Sequence, residues 1–155
     1  MKIQDCLALV TGSNRGLGLA YCEGLLRAGA ARVYAAARDP SKIGICDSRV
    51  VPIALDVTSL ADVISAVQRC QDISLLINNA GVYAGYIDTD MSAHVTAPKA
   101  SPSQVVECSL AGLESGVDRI FADDSAVYVD QKVRTDRTAF DAELLQAWED
   151  SQSPC

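Results

Sequence analysis

Three glycines close together carry the strongest chemical signal in the sequence. They lie in the stretch Thr11–Gly18 (Thr-Gly-Ser-Asn-Arg-Gly-Leu-Gly), which directly follows the apolar run Leu7–Val10. A glycine-rich turn between a strand and a helix presents backbone N–H groups to an anion, and the helix N-terminus adds partial positive charge. Glycine also permits positive φ and close approach of a ligand to the backbone. The stretch therefore predicts a phosphate-binding turn formed by Gly12, Ser13, Asn14, Arg15, Gly16, Leu17 and Gly18.

Two arginines indicate which phosphate-containing ligand the turn would take. Arg38 follows the apolar run Arg32–Ala37, at the position where the adenosine ribose of a dinucleotide would lie. A guanidinium there favours a ribose 2′-phosphate through charge-assisted hydrogen bonds, and Arg15 adds a second positive charge. The alternative is Asp39, whose carboxylate would bind a free ribose 2′-hydroxyl and select NAD. We favour NADP because two arginines are available and the acid comes one residue later.

Two further segments lie where a dinucleotide site needs them. Asp56 and Val57 follow the third apolar run, and a carboxylate at that point would bind the adenine amino group. The alternative is that Asp56 begins the cap of the next helix. Asn79, Ala80 and Gly81 follow the fourth apolar run, where small residues let the cofactor lie over the sheet edge at the switch point of the strand order.

The elements that would position these residues form an α/β pattern. Nearly continuous apolar runs separated by helices are typical of a parallel sheet covered on both faces. Right-handed crossovers then give a Rossmann-like, doubly wound sheet of order 3-2-1-4. Any helix before Val50 must be very short. The expected strands are Ile3–Val10, Arg32–Ala37, Val50–Leu55 and Ile73–Ile77, and the expected helices are Gly16–Ala28 and one that begins at the capping box Ser59–Asp62.

The pattern after Gly81 is less regular. It predicts a helix at Ser103–Gly116, short strands at Arg119–Ala122 and Ala126–Val129, and a surface helix at Ala139–Glu149. We expect residues 1–155 to form a single dinucleotide-binding domain. Its Rossmann-type half would be 1–82, and 83–155 would be an irregular or helical C-terminal part.

Composition narrows the class of protein. The chain has 155 residues, 49% hydrophobic and 21% charged, with a net charge of −7. This is a globular composition, and the acidic balance disfavours nucleic acid or an anionic membrane as partner. No signal-peptide pattern or membrane-length apolar run is apparent. Six scattered cysteines without a CxxC pair and a single histidine indicate reduced thiols, a cytoplasmic location and no metal site.

The ordered motifs together resemble the short-chain dehydrogenase/reductase family. Thr11–Gly18 matches its TGxxxGxG motif, Asp56-Val57 its acidic adenine-binding position, and Asn78–Gly81 its NNAG motif. Gly85–Met91 resembles the segment after the sixth strand of the family. There the hydroxyl of Thr89 and the backbone at Ile87 would bind the nicotinamide carboxamide. The resemblance implies an NADP(H)-binding oxidoreductase that acts on a carbonyl or an alcohol.

The resemblance also exposes an internal gap. In the family, two helices and two strands separate the NNAG motif from the nicotinamide segment, whereas here only Val82-Tyr83-Ala84 does. At roughly 30 residues per βα unit, about 80–100 residues are absent. That segment normally carries the catalytic Ser, the Tyr-x-x-x-Lys pair and a helical Asn. The resemblance therefore implies a centrally shortened form without catalytic residues. The alternatives are a non-catalytic NADP-binding or subunit-interaction protein, or an internal-deletion product of a full-length reductase.

A second Tyr-x-x-x-Lys occurs late in the chain. Tyr128 and Lys132 form the pair, and Ser115 precedes Tyr128 by thirteen residues. The pair follows the nicotinamide segment instead of preceding it, and no long apolar strand comes before Ser115. We therefore interpret it as a chance match.

The gap also predicts an exposed surface. Strand four would lose its outer neighbour, so strands that are normally covered on both faces would show apolar side chains to water. We expect a marginal monomer, or a homo-oligomer that buries the exposed sheet edge.

Overall fold

The structure is a computed structural model that describes residues 2–80, 87–96, 99–117, 120–121 and 124–152. The chain forms two compact units, Met1–Ala122 and Asp123–Cys155. The expected single dinucleotide-binding domain over 1–155 stays a prediction. Within the described ranges, no helix combines the length and the apolar character that a membrane crossing requires.

The first unit is built on a four-stranded parallel sheet of order β3-β2-β1-β4, which confirms the predicted α/β fold. Val10 on β1 is in register with Ala35 on β2 and Ile77 on β4. The carboxyl ends of these three strands therefore meet at one edge. The strands are β1 Leu7–Thr11, β2 Arg32–Ala37, β3 Val50–Ala54 and β4 Leu75–Ile77.

Two strands begin later than their apolar runs, and β3 ends one residue early, at Ala54 instead of Leu55. Strand β1 begins at Leu7 instead of Ile3 because a turn precedes it. Asp5 has a positive φ of 62°, and Cys6 N donates to Ile3 O. Strand β4 begins at Leu75 instead of Ile73. Apolar runs predict burial, whereas the strand itself begins only where the chain comes into register with its neighbour.

Helices alternate with the strands and have recognisable ends. Helix α1 ends before Gly29, which has φ 88°. Ser59 caps α2, and its hydroxyl accepts from Asp62 N. Only a short 3-10 helix, Pro40–Lys42, lies between β2 and β3, as expected. The α-helices are α1 Gly16–Arg27, α2 Leu60–Arg69, α3 Pro102–Glu114 and α4 Asp124–Gln152.

Helix α4 forms the described part of the second unit and corrects one prediction. The expected strand Ala126–Val129 is helical, and α4 bends at Asp136, where the backbone leaves the helical region. Charge pairs of helical spacing, such as Asp130 with Arg134, favour the helix over the β-propensity of a short Val-Tyr-Val run. Of the other expected strand, at 119–122, the structure describes only 120–121, and these two residues are not in a strand.

The two faces of the sheet are covered unequally. On one face, α1 and α3 pack over β1, around Val10, Leu25 and Val106. On the other face, α2 packs over Leu9, Tyr34 and other residues of a smaller cluster. Helix α1 buries five residues, but α2 buries only Ala66. The face covered by α2 is therefore less well packed than the face covered by α1 and α3.

Arg49 ties the end of α1 to the loop before β3. Its Nη1 donates to Leu26 O at 3.1 Å and to Ala30 O at 3.3 Å. Its Nη2 lies 2.7 Å from Asp47 Oδ2. Hydrogen bonds from the Arg49 side chain, and then from its backbone N–H, lower the pKa of Asp47 to about 2.

Candidate functional site

The glycine turn follows β1 at the edge where the strands end. Gly12 and Gly16 have positive φ values of 70° and 56°, which glycine adopts without strain. Gly18 is required for a different reason. A Cβ placed there would lie 2.2 Å from Gly12 O and 2.7 Å from Asn79 Nδ2. The three glycines therefore let the turn close tightly against the first turn of α1.

The N-terminus of α1 is open to an anion. The N-cap residue is Arg15, whose extended backbone is followed by a helix with no side-chain cap and no acid in its first turn. The first N–H groups of a helix have no partner within it. Arg15 itself is exposed, and Asn14 and Leu17 are half-buried. Among the described residues, neither a side-chain cap nor an acid of the first turn would compete with a phosphate at this helix end.

Ser13 has a role inside the turn. Its side chain is fully buried, and its hydroxyl donates to Val10 O at 2.6 Å. Its N–H donates to Ala36 O at 3.0 Å. Because its hydroxyl and its N–H are both hydrogen-bonded within the protein, Ser13 fixes the glycine turn to β1 and β2. Its predicted contact with a cofactor stays a prediction.

Thr11 and Asn79 join the end of β1 to the end of β4. Thr11 Oγ1 accepts from the N–H groups of Asn79 and Ala80, each at 2.9 Å. Asn79 Nδ2 donates back to Thr11 O at 3.0 Å. These bonds hold Asn79 and Ala80 beside the glycine turn. Gly81, predicted as a cofactor contact, lies outside the described residues.

Thr89 also reaches the glycine turn. A Cβ on Gly16 would lie 3.4 Å from Thr89 Cγ2, so the predicted nicotinamide segment approaches the start of α1. Ile87 is buried and forms a parallel bridge with Ala100. The structure thus brings Thr89 and the turn together although seventy positions separate them in the sequence.

Ser92 holds this segment in place. Its buried hydroxyl donates to Ile87 O and accepts from Thr89 N at 3.3 Å. We did not predict Ser92 as a site residue, and the same is true of Thr11. The available signal for Ser92 was the Thr-x-x-Ser spacing, which is typical of a capped turn.

Arg38 and Asp39 differ in how free they are at the end of β2. Both are exposed, but the Asp39 carboxylate accepts from Ser41 N at 3.2 Å and from Ser41 Oγ at 2.6 Å. It also pairs with Lys42 at 3.4 Å. The hydroxyl and N–H of Ser41, followed by Lys42, lower the pKa of Asp39. No hydrogen bond or ion pair of the Arg38 guanidinium is found within the described part of the chain.

Asp56 follows β3 and faces the same edge. Its Oδ1 accepts from Thr58 N at 2.9 Å and from Thr58 Oγ1 at 2.7 Å. These bonds and, to a smaller extent, the charge of Arg38 lower the pKa of Asp56. The cap of α2 is Ser59, so Asp56 forms a turn before the helix instead of capping it. Val57, the other predicted adenine contact, is exposed.

These residues fit a phosphate-containing dinucleotide. A Cβ on Gly18 would clash with the glycine turn. Helix α1 has no side-chain cap at its N-terminus, and the Arg38 side chain is exposed. All of these features lie at the carboxyl ends of parallel strands, next to the point where the order switches between β1 and β4.

Tyr128 and Lys132 lie in the second unit. Both contact Glu143, with Tyr128 Oη at 3.3 Å from Oε1 and Lys132 Nζ at 3.2 Å from Oε2. Lys132 also lies over the Tyr128 ring, 5.3 Å from its centroid. The Tyr128 hydroxyl, followed by Glu143, raises the pKa of Lys132. The pair therefore ties together the two halves of bent helix α4.

Comparison with known proteins decides the family. The sequence pattern of the short chain dehydrogenases matches residues 6–122, about three quarters of the chain. The chain belongs to the short chain dehydrogenase family. It is 42% identical over 81 residues to the oxidoreductase BOA17 of Botryotinia fuckeliana, and 36% identical over 88 residues to an uncharacterized oxidoreductase of Schizosaccharomyces pombe. These matches cover 46% and 52% of this chain but only 29% of each relative.

One solved structure has a similar extent. A short chain dehydrogenase from Burkholderia cenocepacia, in complex with NADP, superposes with a TM-score of 0.82 at 26% identity. The match covers 94% of this chain and 99% of that one. The described fold is thus the family's nucleotide-binding fold, and the family binds a nicotinamide dinucleotide.

Proposed function

We propose that this chain binds NADP(H) at the glycine turn and does not itself catalyse hydride transfer. The observation that carries the choice of cofactor is the contrast between the two neighbours at the end of β2. The Asp39 carboxylate is engaged by Ser41 and Lys42, whereas Arg38 is exposed. A ribose 2′-hydroxyl would have to share an Asp39 carboxylate that Ser41 and Lys42 already engage, whereas a 2′-phosphate would gain Arg38 without competing with a protein group.

Each predicted residue has a part in this proposal. The pyrophosphate would lie on the N–H groups of Gly12–Gly18, with Arg15 and Arg38 on the 2′-phosphate. Asp56 and Val57 would contact the adenine, and Asn79, Ala80 and Gly81 would form the floor under the ribose. The backbone at Ile87 and the hydroxyl of Thr89 would bind the nicotinamide carboxamide. NADP(H), when bound, supplies or accepts a hydride. The NADP complex of the Burkholderia cenocepacia relative supports the same cofactor here.

The absence of catalysis is proposed from the roles of the late tyrosine and lysine. A general acid must reach the proton that it transfers. Tyr128 is directed to Glu143, and Lys132 shares that carboxylate. The sequence between the NNAG motif and the nicotinamide segment is too short to hold another Tyr-x-x-x-Lys. The alternatives are a subunit-interaction protein, or an internal-deletion product of a full-length reductase. Sequencing the transcript across Gly81–Gly85 tests the latter.

The replacement Arg38→Ala tests the choice of cofactor. A charge-assisted hydrogen bond contributes about 1.5–3 kcal/mol, so we expect the dissociation constant for NADPH to rise about 10- to 100-fold, with that for NADH changed by less than about threefold. Calorimetric titration of both cofactors measures this. Arg69→Ala, which removes an exposed arginine near the end of α2, is the matched control and should leave both constants unchanged. Equal losses for both cofactors in Arg38→Ala would mean that Asp39 sets the preference.

The same preparation tests the second half of the proposal. With NADPH and a panel of aldehydes and ketones, we expect no oxidation of NADPH above the rate without protein. Turnover that disappears in Tyr128→Phe would contradict the proposal and assign the late Tyr-x-x-x-Lys a catalytic role.

A further inference from the structure

Helix α2 carries a row of apolar side chains along one flank, between the side that is buried on the sheet around Ala66 and the outer side of the helix. Leu60, Ile64 and Val67 recur at helical spacing and share one side of α2. Val57, before the helix, and Leu76, on β4, are exposed as well. These five residues, which we name the α2 patch, are each between 46% and 75% exposed. Large apolar residues at this exposure are ordinary when scattered, but a contiguous set marks an interaction surface.

A groove shows that part of this set is contiguous. Val57, Val67 and Leu76 line a common groove of about 630 Å³ beside α2, together with buried residues of β1 and with Leu55, which follows β3. Leu60 and Ile64 continue the row from Val67 along α2. The α2 patch therefore combines a projecting row of side chains with a neighbouring apolar groove.

The groove lies at the open side of the sheet. In the described part of the chain, β4 pairs with one strand only, β1. Leu76 remains about half exposed in the middle of β4, although a parallel strand is normally covered on both faces. An edge strand flanked by apolar side chains readily accepts another chain.

Size and charge indicate which partner fits. The five residues expose on the order of 500 Å², near the upper end of the largest apolar patch of ordinary monomers. Two such patches in contact would bury about 1,000 Å², the smallest area expected of a biological interface and one typical of a weak dimer. None of the described residues that line the groove is charged, and Ala61, Ser65 and Gln68 on the outer side of α2 are uncharged too. Two copies of a chain with net charge −7 can meet on such a face without like-charge repulsion.

We propose that the α2 patch is the contact between two copies of this chain, related by a twofold axis. The patch is self-complementary, because each copy offers both a projecting row and a groove. In an isologous dimer, Leu60 and Ile64 of one copy would enter the groove beside Val67 and Leu76 of the other. Four of the five residues lie outside the predicted cofactor site, whereas Val57, a predicted adenine contact, belongs to both. The replacements that test the dimer are therefore made at Leu60 and Ile64, outside the predicted cofactor site.

Sedimentation velocity of the full chain, over about a hundredfold range of concentration, tests the proposal. We expect a dimer for the natural sequence. Ile64→Lys and Leu60→Lys should each raise the dissociation constant of the dimer about tenfold or more, since each would place a charge in the apolar contact. Far-UV circular dichroism should show both variants folded, because the replaced side chains already face water.

The matched control is Val117→Lys. Val117 is 50% exposed and follows α3, which packs on the opposite face of the sheet from α2. This variant should dimerise like the natural sequence. A natural chain that stays monomeric throughout would overturn the proposal, and so would a dimer that both lysine variants leave intact. A monomer whose groove binds a small apolar molecule or another protein instead would overturn it as well.

Discussion

The contacts around Gly18 show why a single methyl group matters in this turn. A Cβ on Gly18 would meet both Gly12 O and Asn79 Nδ2, so the residue lies where the glycine turn and the segment after β4 come close together. A side chain at position 18 would clash with a backbone atom, and rotation of a neighbouring side chain cannot relieve such a clash. The absence of a side chain at Gly18 therefore permits this close packing.

We predict that Gly18→Ala lowers the free energy of unfolding by about 1–3 kcal/mol, because its Cβ would lie 2.2 Å from Gly12 O. It should also abolish measurable binding of NADPH. Urea denaturation and calorimetric titration measure the two effects. The matched control is Gly44→Ala, since a Cβ on Gly44 meets nothing within 4 Å. That variant should keep its affinity, and a Gly18→Ala protein as stable and as tightly binding as the control would refute the account.

At the scale of the elements, the loop before β3 links helix α1 to the sheet through charge. Arg49 bonds two carbonyl oxygens near the end of α1 and is itself held by Asp47. Cations near a helix C-terminus are favourable because the last carbonyl groups have no partner in the helix. The ion pair thus fixes where α1 ends relative to β3.

Asp47→Asn should make stability less dependent on acid pH. The pKa of Asp47 is lowered to about 2 in the folded chain, against about 3.9 in an unfolded one. A depressed carboxyl pKa stabilises the fold above the unfolded value, and this contribution is lost as pH falls from about 5 towards 2. The natural chain should therefore exceed Asp47→Asn in free energy of unfolding at pH 7, and the difference should shrink by pH 2.5. Urea denaturation at several pH values measures this. A difference that is the same at all pH values would contradict the assignment.

The sequence predicts an element correctly where the apolar run and the turn residues beside it mark the same bounds. β2 was predicted at Arg32–Ala37 and has those bounds, since its apolar run is bordered by a turn on each side. The strand order followed from alternation and handedness alone. The start of β1 was missed because Ile3 is buried without being in the sheet. Ala126–Val129 was wrong because charge pairs along α4 outweigh four residues of strand-like composition.

The candidate site was predictable where a motif specifies backbone geometry, and less so where it depends on distant contacts. The positive φ values of Gly12 and Gly16 are expected from their residue type. The approach of Thr89 to Gly16 was not predicted, since no local pattern joins the two residues. The hydrogen bonds from Ser41 to the Asp39 carboxylate depend on the short 3-10 helix that Asp39 caps. For that reason the sequence alone did not show that the Asp39 carboxylate is already engaged by Ser41 and Lys42.

At the scale of the whole molecule, stability is divided unequally between the two sides of the sheet. The side covered by α1 and α3 holds the larger cluster of buried residues, and the side covered by α2 the smaller one. Regions with few buried contacts open locally at a lower free-energy cost than the rest of a fold. Helix α2 and β4 form such a region, and it includes most of the α2 patch.

Hydrogen exchange should show this division directly. In Ile64→Lys, studied at a concentration where it is monomeric, we predict that amides of α2 exchange at least about tenfold faster than those of α1, because α2 buries only Ala66 whereas α1 buries five residues. In the natural chain at high concentration, α2 and β4 should gain protection while α1 changes little, since the proposed dimer covers only the former. Mass spectrometry of peptides from each helix measures both rates. Equal exchange of α1 and α2 in the monomeric variant would show that this unit opens cooperatively. The region of α2 and β4 would then not open at a lower free-energy cost than the rest of the fold.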